Sequence, residues 1–448
     1  MTNDTIVAIA TPPGRGGIGV VRLSGPGARS IAGQLVEKGA SLAPRHATFT
    51  RLVLPSRGPI DHAVVTFFPG PASYTGEDVV EISAHGSPVL LGQVVAAAVT
   101  GGARPANRGE FTLRAFLNGR LDLVQAEAVA DLVAASTPLQ AKVAFDQLDG
   151  TLTTRIAEID TLLLDLVVRL EASLDFPEEG YRFVEGNEAA SRIDAIAGAV
   201  EALARDGRRG RLLREGLTLA IVGRPNVGKS SVFNRLAGAD RAIVSETPGT
   251  TRDLISEIVD IGGFAVSLVD TAGLRDVLDA VEAEGVRRAE HSVRAADLLA
   301  LVLDASEPLT SEDRALLDRT AALPRVIVAN KSDLPAAWTA SALPHPRVVA
   351  VSARTGGGFD GLRAAIAGAA GAAEPGETAA VTNIRHLALL ERALEPLRRA
   401  RAAAASQAYE ELVLADLHEA RGALEEVTGH RSADDLLEAI FSRFCIGK

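Results

Sequence analysis

The stretch "LTLAIVGRPNVGKSS" sets Gly223, Gly228, Lys229 and Ser230 at GxxxxGK[ST] spacing, between an apolar run and a segment that reads as helix. Residues of these types in this order suit phosphate. Glycines let backbone N–H groups close around an oxyanion, and the N-terminus of the following helix adds partial positive charge. The Lys229 ammonium reaches the outer phosphates, and the Ser230 hydroxyl can ligate Mg²⁺. Val227, just before Gly228, and Ser231, just after Ser230, belong to the same loop.

Four further stretches follow in the order a GTPase requires. "PGTTRD" offers Thr250 and Thr251, the second placed to close over a γ phosphate and its Mg²⁺. "SLVDTAG" ends a strand with Asp270, Thr271, Ala272 and Gly273, a carboxylate for metal-bound water and a backbone N–H that can sense the γ phosphate. "VIVANKSD" supplies Asn330, Lys331 and Asp333. A carboxylate at Asp333 can accept from both the ring N–H and the exocyclic amine of guanine, and adenine lacks that amine at this edge. "VSART" adds Ser352 and Ala353, whose backbone N–H groups can meet the guanine oxygen, with Arg354 next to them as a further nucleotide-binding candidate. Five segments in this order predict GTP as the nucleotide and hydrolysis as the reaction.

Two details refine the expected chemistry. Leu274 follows "DTAG", where Ras-like enzymes carry the Gln that orients the attacking water, so the water must be positioned from elsewhere. Asn226 sits just before the second loop glycine. Its side-chain carbonyl can hold a monovalent cation where charge builds between the β and γ phosphates, or it simply turns the loop.

Composition bounds the setting. The chain has 448 residues, 47% of them hydrophobic, enough for several cores, and a net charge of -11, which excludes a strongly basic overall field. Only five of the 46 basic residues are lysines, and Lys229, Lys331 and Lys448 all fall in motifs. The single cysteine, Cys445, cannot form an internal disulfide. The tail after it, Ile446, Gly447 and Lys448, is a poor prenylation signal. With no leader-like start and no long apolar run, the chain is expected to be soluble and cytoplasmic, with no membrane segment.

The elements that must hold these groups are legible as patterns. "TIVAIA", "IGVVRL", "ATFTRLVL", "DHAVVTFF" and "DVVEIS" predict strands up to about residue 118. "LDLVQAEAVADLVAAS" and "RIAEIDTLLLDLVVRLEASL" carry helical spacing, which returns in "RHLALLERALEPLRRARAAAA" and "EELVLADLHEARGALEEV". Between these helical parts runs a strand–helix alternation, bounded by "RDGRRGRLLREG" and by a Gly- and Ala-rich tract near 364–380 that reads as a linker. The fold class predicted is multidomain, α/β and α: an N-terminal α/β domain over 1–118, a helical domain in two halves over 119–212 and 373–448, and an inserted Ras-like P-loop domain over 213–372. The basic cluster Arg205, Arg208, Arg209, Arg211 and Arg214 reads first as hinge salt bridges and second as a nucleic-acid patch.

Beyond the GTPase segments, "DTIVAIATPPGRGGIGVVRLSG", "YTGEDVVEISAHGS", "RGEFTLRAFLNGRLDLVQAEAVADL", "LDFPEE" and the terminal "FCIGK" together resemble the MnmE (TrmE) family of tRNA-modifying GTPases over nearly the full length. The resemblance implies a folate-binding N-terminal domain contacted through Arg22, Glu81, Arg120 and Lys448, with a tetrahydrofolate derivative (5-formyl or 5,10-methylene) as ligand. It implies that Cys445 serves the one-carbon chemistry or folate binding, and that Glu282 positions the hydrolytic water, with Glu284 the nearby competitor. K⁺ would be held by Asn226, Ser245, Thr247 and Thr250, and Mg²⁺ by Ser230 and Thr251. Position 120 is Arg where Lys is expected, and "ISAHGS" departs from a more Gly-rich form. Further implications are a homodimer activated by meeting of its GTPase domains, and a flavoprotein partner, MnmG, in a heterotetramer or larger complex, bringing FAD and using NADH. The substrate implied is the wobble uridine of certain tRNAs, which receives a carboxymethylaminomethyl or aminomethyl group at carbon five. A ribosome-assembly GTPase shares the middle segment but would carry a KH-type or basic appendage.

Overall fold

The structure is a computed structural model that describes residues 4–38, 41–55, 57–175, 185–239, 256–270, 296–339, 343, 348–369, 381–406, 409–431 and 434–448. The chain divides into two compact units, one of Met1–Ala130, Gln147–Ala157 and Arg421–Lys448, the other of Asp131–Asp146 and Glu158–Ala420.

The N-terminal elements are β1 (Ile6–Ile9), β2 (Gly16–Ser24), α1 (Ala28–Gln34), β3 (Thr48–Leu54), β4 (Gly58–Phe68), β5 (Val79–Gly86), α2 (Pro88–Thr100), β6 (Arg104–Pro105) and α3 (Glu110–Leu117). The strands form one sheet in the order β3-β4-β5-β2-β1-β6. Alternation sorts their side chains. Val21, Leu23, Val65, Phe67, Val80 and Ile82 form a core on one face with Ala28 and Ile31 of α1 and Leu91 and Val94 of α2. Arg22 and Glu81 belong to the intervening positions, and the antiparallel register pairs them across β2 and β5.

Helices follow: α4 (Leu123–Ala134), α5 (Pro138–Leu148), α6 (Thr151–Asp175) and α7 (Gly186–Glu215). The start of α4 is set by Asp122 and Gln125, each side chain accepting from the other's backbone N–H, at 2.8 and 3.0 Å. The bounding stretch "RDGRRGRLLREG" is helical up to Glu215. α7 runs through it to Glu215, helped by an Arg211–Glu215 pair at 2.8 Å, and stops where Gly216 takes φ 78.

Next come β7 (Leu217–Val222), α8 (Lys229–Ala239), β8 (Ser256–Ile261), β9 (Phe264–Asp270), β10 (Leu298–Asp304), α9 (Ser311–Arg319), β11 (Arg325–Asn330), β12 (Val348–Ala350) and α10 (Phe359–Ala369). Their sheet order is β12-β11-β10-β7-β9-β8, parallel except for β8. The central strand β10, "LLALVLD", is buried throughout, with Leu298, Ala300 and Val302 in one cluster and Leu299, Leu301 and Leu303 in another. A continuous apolar run is what a parallel strand covered on both faces requires. Residues 364–369 of the tract expected to be a linker belong to α10, whose Phe359, Leu362 and Ile366 are buried at helical spacing.

The chain ends in α11 (Ile384–Ala405), α12 (Glu410–Thr428) and α13 (Asp434–Phe441). Ion pairs Glu201–Arg398 at 3.1 Å and Asp194–Arg401 at 3.0 Å join α7 to α11. At the other end of α7, Gln140 donates to the carbonyl of Leu213 at 2.9 Å, and Thr137 donates to the carbonyl of Gly263 at 2.8 Å in the β8–β9 turn. Val143 of α5 completes the core of the parallel sheet. Among the described residues, no helix is long and apolar enough to cross a membrane.

Candidate functional site

In an open parallel sheet, ligands sit beyond the carboxyl ends of the strands, where the connections diverge to the two sides. That is where the predicted nucleotide residues gather. Gly223 follows β7, Asp270 ends β9, Asn330 ends β11, and Ser352 follows β12. The register aligns Ile221 with Asp270 and Asp304 with Asn330, so these ends share one edge.

The phosphate loop turns on three positive-φ residues, Gly223 at 157°, Asn226 at 65° and Gly228 at 93°. A Cβ on Gly228 would collide with the amide nitrogen of Asn330, so this close approach admits glycine alone. Asn226 is the residue type best able to adopt that backbone without being glycine, and its side chain is exposed. The turn alone therefore accounts for Asn at this position, and the geometry leaves its side-chain carbonyl available. Lys229 and Ser230 open α8, with Lys229 Nζ donating to the carbonyl of Arg224 at 2.9 Å. Asn330 ties the segments together. Its Nδ2 donates to the carbonyl of Val227 at 2.9 Å, and its Oδ1 accepts from the N–H of Ala353 at 3.1 Å.

Asp333 accepts from Ser352 Oγ at 2.7 Å, and this bond holds the carboxyl below the usual Asp range. Asp333 is thus an anion already aimed by its neighbour. Lys331 has φ 65° and its ammonium lies 2.5 Å from Asp304 Oδ2. Burial pushes the Asp304 carboxyl up, but hydrogen bonds from Lys331 and Ser306 outweigh it and leave the group below the ordinary value. Asp304 is missing from the sequence reading; its signal was the polar residue ending the apolar run "LLALVLD". Arg354 is exposed beside this segment. Ser245, Thr247, Thr250, Thr251, Thr271, Ala272, Gly273 and Glu282 lie outside the described residues, as do Leu274 and Glu284.

A second grouping lies in the N-terminal unit. Arg22 Nε and Nη2 both reach Glu81 Oε1, at 2.9 and 2.8 Å, and Nη1 donates to the carbonyl of Gly447 at 3.4 Å. The guanidinium also stands 5.2 Å from the ring centre of Tyr74 and 5.7 Å from that of Phe111. The C-terminal tail is thereby brought to Arg22. Arg108 bridges Ile446, Gly109 donates to the carbonyl of Cys445 at 3.4 Å, and Phe441 and Phe444 seat the segment in a core with Leu123, Ala126 and Val129. Gly447 has φ 95°, and a Cβ there would strike the carbonyl oxygen of Ile9. Cys445 is exposed and Lys448 half-buried. Arg120 lies with its stem against Gly76, close after Tyr74, 3.2 Å from where a Cβ would stand. Tyr74 and Phe111 were not foreseen as Arg22's partners because they come from distant segments.

A further charge cluster in this unit braces its fold. Buried Arg114 pairs with Asp4, Glu77 and Glu110, at 2.7, 3.0 and 3.1 Å, and Arg104 pairs with Asp4 and Glu110. Of the basic cluster near the end of α7, Arg211 pairs with Glu215 and Arg214 with Asp131 at 2.7 Å, in keeping with a salt-bridged role. Among the described residues, no group of three or more His, Cys, Asp or Glu side chains could hold a metal.

Comparison with known proteins gives the lineage. A family model described as "GTP-binding protein TrmE N-terminus" matches residues 5–120, and one described as "MnmE helical domain" matches 123–445. Proteins named tRNA modification GTPase MnmE are similar along the whole chain. That of Koribacter versatilis is 46% identical over 455 residues, covering 100% of this chain and 99% of its own. That of Chloroflexus aurantiacus is 46% identical over 454 residues, covering 100% of both. That of Nitrosospira multiformis is 44% identical, covering 100% of this chain and 99% of its own. Among solved structures, the G domain of the T. maritima FeoB iron transporter is 25% identical over 34% of this chain and 98% of its own, with a TM-score of 0.26. Likeness of this extent to the relatives, with two family models matching in series from end to end, establishes that the chain belongs to the MnmE family of tRNA modification GTPases.

Proposed function

We propose that this GTPase supports addition of a carboxymethylaminomethyl or aminomethyl group to carbon five of the tRNA wobble uridine, using a folate one-carbon unit and a flavoprotein partner that brings FAD and NADH. The observation that carries the folate part is the hydrogen bond from Arg22 to the Gly447 carbonyl. It gathers Arg22, Glu81, Cys445 and Lys448, from opposite ends of the sequence, at one place. A pterin offers a donor edge suited to the Glu81 carboxylate, and its glutamyl tail offers carboxylates suited to Arg120 and Lys448. Cys445, two residues before Gly447, is exposed.

GTP is read and hydrolysed in the other unit. The loop N–H groups and the α8 N-terminus receive the phosphates, Lys229 exchanges the Arg224 carbonyl for phosphate oxygen, and Asp333 with the Ala353 N–H selects guanine. The hydroxyl of Ser230 fits Mg²⁺ at the head of α8, with Thr251 and Asp270 its companions. The side-chain oxygen of Asn226 suits K⁺, which Ser245, Thr247 and Thr250 would help to hold, and such an ion would supply positive charge between the β and γ phosphates. Glu282 would position water in place of the absent Gln. These readings come with the domain division 1–118, 119–212, 213–372 and 373–448, a homodimer, an MnmG-type partner and a cytoplasmic setting.

The test is a mass-spectrometric nucleoside profile of tRNA from cells lacking the protein and from cells carrying Cys445→Ser. The expected result is loss of the wobble-uridine adduct in both. Loss only in the deletion strain would return Cys445 to a packing role, and loss in neither would favour an assembly GTPase.

A further inference from the structure

Arg224 lies inside the phosphate loop, one residue after Gly223, yet its side chain engages α9. Nη2 lies 2.6 Å from Glu307 Oε2, and Nε lies 3.3 Å from Asp313 Oδ2. Asp313 is almost wholly buried and belongs to the capping box that starts α9. Its Oδ2 accepts from the N–H and hydroxyl of Thr310 at 3.0 and 2.8 Å, and its N–H donates to Thr310 Oγ1 at 3.2 Å. The acid is therefore fixed in place by the helix end it caps. Two buried polar atoms at this joint, Arg224 Nε and Asp313 Oδ1, have no hydrogen-bond partner among the described residues. The joint is thus braced by two ion pairs but incompletely hydrogen-bonded in this conformation.

The backbone of the same residue meets the nucleotide machinery, since the Arg224 carbonyl is where Lys229 Nζ docks. Lysine must leave that carbonyl to take phosphate, and the ease of the exchange depends on where the carbonyl is held. We propose that Arg224 is a positioning residue that sets nucleotide affinity by anchoring the phosphate loop to Glu307 and Asp313, and that its guanidinium does not touch phosphate. The proposal rests on the GTP-binding reading of the loop. Loss of the anchor leaves the loop to be ordered at the expense of binding, chiefly as faster release.

The experiment measures association and dissociation of a fluorescent N-methylanthraniloyl-GDP with the full chain, for the unaltered protein, Arg224→Ala, Arg224→Lys, Glu307→Ala, Asp313→Asn and the Arg224→Ala/Glu307→Ala pair. Arg224→Ala is expected to weaken binding about 5-fold or more, mainly through release. Glu307→Ala and Asp313→Asn should weaken it in the same sense, Arg224→Lys should recover part of the loss, and the double variant should match Arg224→Ala because both remove one link. Glu307 is exposed and keeps the test open if Arg224→Ala fails to fold. Unchanged affinity in a folded Arg224→Ala would overturn the proposal. So would weak binding in Arg224→Ala with wild-type binding in both acid variants, because Arg224 would then touch nucleotide directly. Failure of the unaltered protein to bind the probe would instead remove the nucleotide reading on which the anchor depends.

Discussion

Asp304 and Lys331, from neighbouring strand ends, make an ion pair of 2.5 Å in which the carboxylate is buried and the ammonium half-exposed. This pair holds Lys331 in its left-handed backbone beside Asn330, which bonds the phosphate loop. Asp304→Asn keeps an oxygen for the Ser306 bonds but discards the charge. It is expected to destabilise the P-loop unit by about 1 to 3 kcal/mol, below the usual figure for a fully buried pair because Lys331 reaches solvent. Denaturant unfolding of the variant checks this, and an unchanged midpoint would show the pair to be dispensable.

Asp333→Asn is expected to weaken GTP about 10-fold or more, since an amide cannot accept from both donors of the guanine edge. Xanthosine triphosphate presents a carbonyl where guanine has its amine, which an Asn amide can meet. Its affinity should rise in the same variant. Parallel titrations with the two nucleotides decide the matter, and an equal fall for both would remove Asp333 from base recognition.

The contacts that sequence made legible are those carried by neighbours in the chain. The phosphate loop is one strand, one turn and one helix, so Gly223 to Ser230 announce it by spacing. Strands β1 to β5 announce themselves as short apolar or alternating runs. Asp304 was not legible because its partner lies in the next strand, and the same holds for Tyr74 and Phe111 around Arg22, which meet only when three segments pack. The helix at the arginine-rich end of α7 does not announce itself by hydrophobic spacing, because the stretch is mostly polar. Arg, Leu and Glu are nevertheless good helix formers, and Arg211 and Glu215 pair one turn apart. α11 carries Pro396 inside it, packed in a buried stripe with Leu389, Ala393, Leu397 and Ala400.

Asn226→Gly separates the two roles of that position. Glycine accepts the positive φ at least as readily, so the loop should fold, but the side-chain oxygen is gone. In the unaltered protein, GTP hydrolysis is expected to run about 10-fold or more faster in K⁺ than in Na⁺, and in Asn226→Gly the two rates should converge. Equal rates in the unaltered protein would remove the cation and leave Asn226 as a turn residue.

Glu110 accepts from Arg104 and Arg114 and from the N–H of Asn107. Burial pushes its carboxyl up, and these bonds outweigh burial and leave it below the usual Glu range. A depressed folded value means that its stabilisation is present above the unfolded value of about 4.3 and is lost as pH falls through the folded one. Glu110→Gln is expected to cost about 2 to 4 kcal/mol near pH 7, and the difference from the unaltered protein should shrink below about pH 4. Unfolding measured at both pH values gives the comparison, and a constant difference would mean that shape rather than charge matters there.

Gly447→Ala probes the tail without altering any charged group. The new methyl would strike the Ile9 carbonyl, and its φ of 95° resists any side chain, so the last residues must leave their seat. Arg22 would then lose the Gly447 carbonyl while keeping Glu81. If tail and sheet form one folate site, calorimetric titration with 5-formyltetrahydrofolate should show affinity reduced about 10-fold or more, because a displaced Lys448 takes a charged contact with it. GTP affinity serves as the control, since the nucleotide residues all lie in the other unit. Full folate affinity in the variant would place the binding contacts on Arg22, Glu81 and Arg120 alone and would detach Cys445 from the one-carbon site.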